Sequence, residues 1–322
     1  MPITWRSIPI LCYHNTCGPD GHDQAQLAAH LDCIRDMGFA TLTTREIVDI
    51  VTGTTRLKHP AVGITFDDGH VSNWLYALPL LQQRGMRASF FVCSDFISDG
   101  LARRTEEIPH LLGGAQSFYQ AAVLGDTSQF CTTTELYHLA HTHGMDVLPH
   151  SARHAFCFHE TAPRPQAREI HWGAHLVYGR DISGEDLPCP KGGSAYAHNG
   201  WWPRETKTGI QWTTRSEQER YQFCREDFTR CKKHLETILD QPMDIFCWPW
   251  GEYDQVAEEA LQDTGFRAAL TLERGRVGPG TDPLRIGRLS VSPRKSLSWL
   301  KRRLRLLSFG PGAALTYKNG AL

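Results

Sequence analysis

Thr65-Phe66-Asp67-Asp68-Gly69 follows directly on Ala61-Val62-Gly63-Ile64. The apolar run reads as a short buried strand, and the Gly as the turn that ends it. Two adjacent carboxylates at the end of a buried strand are costly. Each ionised oxygen pair needs a cation or hydrogen-bond donors to offset its lost hydration. An Asp-Asp-Gly turn capping the next helix is the simpler reading of these residues. A divalent ion in a cleft at the strand end is the other.

A second segment bears on that choice. His150-Ser151-Ala152-Arg153-His154 follows the strand-like Gly144-Met145-Asp146-Val147-Leu148-Pro149. Two imidazoles and one carboxylate form a set that suits a divalent metal with open coordination positions. With 16 histidines in the chain, a His-x-x-x-His pair alone would carry little weight.

In this order the two segments resemble the polysaccharide deacetylase family, also called carbohydrate esterase family 4 or the NodB-homology domain. Its T-F-D-D-G motif stands unchanged at 65–69, and its H-[ST]-x-x-H motif at 150–154. The opening Ile8-Pro9-Ile10-Leu11-Cys12-Tyr13-His14, the strand Ala88-Ser89-Phe90-Phe91-Val92 and the helix Glu135 to Ala140 resemble the same domains. Ile245-Phe246-Cys247-Trp248-Pro249-Trp250-Gly251 resembles the third-motif strand, in the Y-P-Y-G form of the poly-N-acetylglucosamine deacetylase-like branch. These blocks cover roughly residues 8–155 and 243–292.

The resemblance implies a distorted α/β barrel, (β/α) in its repeat. Alternating strand-like and helix-like segments independently predict a parallel sheet, wound or closed. Leu27, Leu31, Ile34 and Met37 repeat at helical spacing before Gly38, and Thr43 or Thr44 can cap a helix containing Ile47, Ile50 and Val51. A helix follows at about 74–83, and another at 216–239 with Tyr221, Cys224, Phe228, Cys231, Leu235 and Leu239 on one face. One catalytic domain over 1–322 is expected. An insertion occupies about 157–240, its first part (to about 215) read as loops, and a basic amphipathic tail about 296–322.

The resemblance assigns Asp68, His150 and His154 as metal ligands and Asp67 as catalytic base. It gives the backbone N–H of Trp250 to the developing oxyanion. Two departures matter. Cys247 stands where the family's third motif commonly has the Arg that orients the base, so Arg288 is the candidate for that task. No His follows position 234, so the usual late general acid is missing; His14, His70, His171, His175 and His198 are substitutes, with His14 best placed at the end of the first strand. Trp250, Trp248, Trp201 and Trp202 are candidates to stack on a sugar.

The implied reaction is metal-dependent removal of an N-acetyl group from an amino sugar, with Zn2+ the first choice and Co2+, Ni2+, Mn2+ or Fe2+ also suited. Hydrolysis of another C–N amide, such as a cyclic ureide, and carbohydrate binding without turnover are the alternatives. A formal net charge of −1 and a pI of about 7.0 do not point to nucleic acid. Ten scattered cysteines read as reduced thiols. The first 20 residues lack a secretory pattern, and no run reaches the roughly 20 apolar residues of a membrane span. A cytoplasmic enzyme is expected. Leu297, Leu300, Leu304 and Leu307 share one helical face beside Lys301, Arg302, Arg303 and Arg305, so peripheral membrane contact through Leu297–Leu307 is a further expectation.

Overall fold

A computed structural model describes residues 7–108, 110–162 and 170–309. Strands β1 (Ile10–Tyr13), β2 (Ala40–Leu42), β3 (Ala61–Phe66), β4 (Ser89–Val92) and β5 (Asp146–Pro149) form one parallel sheet. Every residue of β1, β3, β4 and β5 is buried, as expected of parallel strands covered by their crossover helices.

The antiparallel strands β6 (Phe156–Phe158), β7 (Gly192–Ser194), β8 (Trp201–Thr206) and β9 (Gly209–Thr214) form a separate sheet. The barrel then resumes with β10 (Ile245–Cys247), β11 (Ala268–Thr271), β12 (Ile286–Gly287) and β13 (Leu289–Ser290). β12 pairs with β11, and β13 pairs with β1. The chain therefore changes partner across Arg288 alone, and this exchange ties the two parallel sheets into a ring. Between β5 and β10 no ladder is recorded among the described residues; the strands lie side by side, and the barrel is distorted there.

The helices run where side-chain spacing places them. Gln24–Asp36 buries Leu27, Leu31 and Ile34, is capped by Asp23, and stops before Gly38, whose φ is +76°. Thr44–Val51 opens on a capping box between Thr43 and Glu46. The helical run from Asn73 to Gln82 begins with a wide π turn over Asn73–Ala77. Glu217–Leu239 buries Cys224, Phe228, Cys231, Leu235 and Leu239.

Two expectations are corrected. The stretch 157–215 is not a set of loops: around residues 163–169, which lie outside the described part, it holds a helix (Trp172–Tyr178) and the four-stranded sheet β7-β6-β8-β9. β8 and β9 pair as a hairpin from Trp201↔Thr214 to Thr206↔Gly209. Trp201, Trp202 and Trp212 pack with Phe156, Phe158 and Ile182 into a core of its own, which offsets the ordering of these strands. The C-terminal helix (Leu297–Ser308) turns its apolar face inward: Leu300 and Leu304 are fully buried in the main core. That stripe is therefore not free to enter a bilayer. Lys301, Arg302 and Arg305 face solvent, as do Leu297 and Phe309 at the two ends of the helix.

The long helix Glu217–Leu239 also carries a buried acid. Asp227 Oδ1 accepts the Ala152 N–H at 2.9 Å and the Tyr196 hydroxyl at 3.2 Å. It thereby fixes the loop between His150 and His154. Burial pushes its carboxyl up to about 6, against the opposing pull of the Ala152 N–H, Arg153 and Arg230. The folded chain thus binds a proton that the unfolded chain has released, and stability falls as pH rises from about 4 to about 6. A shift of this size corresponds to about 3 kcal/mol. Asp227→Asn should flatten that window in urea titrations run at pH 4, 5 and 6.

Candidate metal centre

The two acidic residues leave β3 through a sharp reversal. Asp67 still donates its N–H to Tyr13 O at 2.9 Å, extending the β1–β3 ladder. Asp68 and Gly69 then take φ of +75° and +78°. A Cβ on Gly69 would stand 2.9 Å from Val92 Cγ1, so glycine is required by both conformation and space. Six described non-glycine residues have positive φ, and four belong to the motif segments: Asp68, Ser151, His154 and Trp250. Left-handed backbone on such residues costs energy and is retained where geometry demands it.

The reversal turns Asp68 toward two imidazoles. Its Oδ1 lies 3.5 Å from His150 Nε2 and 3.6 Å from His154 Nε2. Bonds of ~2.0–2.2 Å in a tetrahedral site set neighbouring ligand atoms ~3.4 Å apart, so the trio fits one divalent ion. Asp68 Oδ1 is buried without a hydrogen-bond partner. Burial raises the Asp68 carboxyl pKa; His14 and His150 oppose this and Asp67 adds to it. Burial lowers both imidazole pKa values, more than Asp67 and Asp68 raise them at His150, so the rings are neutral and able to ligate. His150 Nδ1 lies 2.9 Å from Cys247 O. With its proton on that nitrogen, the ring offers Nε2 to the ion, an arrangement that commonly fixes metal-binding histidines.

Asp67 faces a different partner. Arg288 Nη1 donates to Oδ1 at 2.6 Å and Nη2 to Oδ2 at 2.8 Å. The guanidinium also reaches the Thr65 hydroxyl at 3.0 Å and Thr271 O at 3.4 Å. Both residues are buried, Asp67 3% and Arg288 4% exposed. Burial alone would raise the Asp67 carboxyl, but Arg288 and His150 outweigh it and hold the group well below the usual range. Arg288 is thus a buried counter-ion, not a surface residue of the closing strand.

The remaining candidates divide. His14 is exposed, and its ring nitrogen lies with Cys12 Sγ and Asp67 in a cluster whose ligand atoms are all within 4.8 Å of one another. It lines a cleft of about 230 Å3 together with Asp68 and Asp20. His70 is enclosed by Ser72 and Ser117, His175 pairs with Asp181, His171 stacks on Phe156, and the His198 ring lies tilted against that of His159. None of these four is in such a cluster with Asp67. The Trp250 ring lies 4.6 Å from that of His154 and stacks with Trp172 at 6.4 Å. Trp248 is corrected: it is fully buried against Phe228, Phe246 and Tyr253 and offers no face to a sugar. Trp201 and Trp202 are half-buried on β8; Trp202 lines a groove with Arg153, Arg215 and Phe223, and Arg215 lies 4.1 Å over its ring.

Sequence reading missed Thr65 as a support for Arg288, the thiols of Cys12 and Cys247 beside Asp67 Oδ2 at 3.5 and 3.8 Å, and Asp227. Thr65 stands within the first motif and could have been found; Asp227 has no local signal.

A model of the polysaccharide deacetylase family matches residues 54–184. "Putative polysaccharide deacetylase YxkH" of Bacillus subtilis (strain 168) is 33% identical over 87 residues, 26% of this chain and 31% of that protein. Poly-beta-1,6-N-acetyl-D-glucosamine N-deacetylase of Escherichia coli (strain K12) is 21% identical over 242 residues, 75% of this chain and 29% of that protein. The chain thus spans less than a third of the length of either curated relative. Among solved structures, IcaB from Ammonifex degensii superposes with a TM-score of 0.62 at 19% identity, covering 94% of this chain and 97% of that one. The barrel, with its insertion, is that fold.

Asp68→Asn should weaken binding of one equivalent of Zn2+ or Co2+, measured by calorimetry on metal-stripped protein. The loss should exceed the ~10–100-fold that removal of an outer hydrogen-bond partner brings. Undiminished affinity would mean that the ion binds elsewhere.

Proposed function

We propose that this chain, whose residues 54–184 match a model of the polysaccharide deacetylase family, is a metal-dependent hydrolase that removes N-acetyl groups from an amino sugar in a glycan, glycan precursor or glycolipid. The observation that carries this reading is the division of labour between two adjacent acids. Asp68 meets His150 and His154, while Asp67 is held ionised by Arg288. A binding module has no evident need for the second, separately clamped carboxylate. The relatives reported above are deacetylases by name, and the ring-opening reading gains nothing from them.

Asp68, His150 and His154 would hold a divalent ion, which when bound would lower the pKa of water from 15.7 to about 7 and polarise an amide carbonyl. Zn2+ is our choice for it, since two imidazoles and a carboxylate are among its usual ligands. The protein's own groups do the rest. Asp67 takes the proton from the attacking water; the Arg288 fork fixes its orientation and leaves lone pairs of the carboxylate for that proton. A clamped carboxylate is a weak base, so the fork trades basicity for a fixed, charged acceptor across the neutral range. The Trp250 N–H donates to the charge that develops on the carbonyl oxygen. His14, exposed at the cleft, gives a proton to the departing amine. Trp250 supplies an apolar wall, and Trp201 and Trp202 are candidates for more distant sugar contacts. The unpaired state of the ten cysteines supports a reducing, cytoplasmic setting, as part of the same proposal.

Acetate release from a panel of N-acetylated saccharides, with metal content measured on the same samples, tests the reading. Asp67→Asn should keep the ion and lose turnover by about 10²–10⁴-fold, the usual contribution of general base catalysis. Wild-type turnover in that variant would remove Asp67 from the reaction. His14→Gln should likewise retain the ion and slow turnover, with the larger loss on substrates whose amine is the poorer leaving group.

A further inference from the structure

A second cavity lies between the barrel-closing strand and the C-terminal helix. Ile8, Ile10, Val277, Leu289 and Leu307 supply its apolar walls, and its volume is about 220 Å3. Pockets for drug-sized ligands run to ~300–1,000 Å3, so this one accommodates a hydrocarbon segment and not an oligosaccharide.

Four cations are among its lining residues: Arg274, Arg288, Lys295 and Arg303; Arg288 is already committed to Asp67. Lys295 Nζ and Arg303 Cζ each lie 5.6 Å from the Trp299 ring centroid, so two positive charges share one indole. Arg303 Nε is buried without a hydrogen-bond partner among the described residues. Burial pushes the Arg303 pKa down, and the like charges of Arg274 and Arg302 push it further. Glu273 is the one carboxylate among the lining residues, and its Oε1 already accepts the Tyr253 hydroxyl at 2.7 Å. Lys295 and Arg303 therefore bring positive charge to the rim of a cavity with apolar walls. Such a site complements a ligand that is apolar along its length and negative at one end.

We infer that this cavity binds a single-chain amphiphile with an anionic head group, its hydrocarbon between Ile8, Leu289 and Leu307 and its head on Lys295 and Arg303. Lys301, Arg302 and Arg305 on the exposed side of the same helix carry the sign that draws such a molecule from an anionic bilayer. The inference does not rest on the deacetylase reading: Arg288 borders the cavity but is paired with Asp67, and the head group is assigned to Lys295 and Arg303.

The test is calorimetry on the full-length chain with n-alkyl phosphates of increasing length, below their micelle concentrations, and native mass spectrometry to count the molecules bound. One equivalent should bind. Affinity should rise up to about fourfold per added methylene (~0.8 kcal/mol each) and level off once the cavity is filled. Inorganic phosphate and the alcohol of matching length should both bind much more weakly. Arg303→Gln should weaken the best alkyl phosphate by about 10-fold. Leu307→Trp, which fills the void from the helix, should shorten the chain length at which affinity levels off; thermal melts establish that both variants are folded. Three results would each overturn the inference. Phosphate binding as tightly as its alkyl ester would mean a plain anion site. The alcohol binding as tightly would mean a cavity indifferent to charge. Insensitivity to both substitutions would place the ligand elsewhere.

Discussion

The pairing of Arg288 with Asp67 is the constraint on which this architecture turns. Two neighbouring carboxylates are buried at one strand end, where repulsion between them is strong and water is scarce. The barrel separates their fates. One receives a guanidinium on both oxygens, and the other faces two imidazoles. Removing one partner of a buried ion pair typically costs ~3–5 kcal/mol because the survivor stays charged and unpaired. The change of partner from β12 to β13 follows from this need: the residue between them points inward, where it reaches Asp67, the Thr65 hydroxyl and Thr271 O.

The thiols beside Asp67 fit the same logic. Burial pushes Cys12 and Cys247 up despite Arg288, so both remain neutral. A neutral sulfur at position 247, where the resemblance leads one to expect arginine, does not compete with Arg288 for the carboxylate. Here the cation comes from the seam between β12 and β13, and it gives the carboxylate a bidentate partner, a geometry only arginine provides.

Much of this was legible before any coordinates. Asp67, Asp68, His150 and His154 could be read because a metal site demands particular side chains, and here they fall in two short runs. The helices could be read because their apolar faces repeat and their caps are explicit, as at Asp23 and Ser216. Arg288 could only be nominated, since its relation to Asp67 exists across the barrel and leaves no local trace. The antiparallel sheet escaped notice: the β8–β9 hairpin turns at Lys207-Thr208 without an Asn-Gly signal, and Pro203 sits within β8. Trp248 misled for a definable reason. Residues two apart on a strand share a face, but the chain leaves the strand at Pro249, and the left-handed Trp250 swings away from its neighbour.

The order of the strands along the chain also has a bearing on biosynthesis. The ribosome delivers Asp67, Asp68 and both histidines well before Arg288, which arrives with the seam that shuts the ring. Until that seam is in place Asp67 has no guanidinium partner, and sequestering it from water beside Asp68 is unfavourable. Closing the ring and neutralising Asp67 are thus a single event, because the same residue does both.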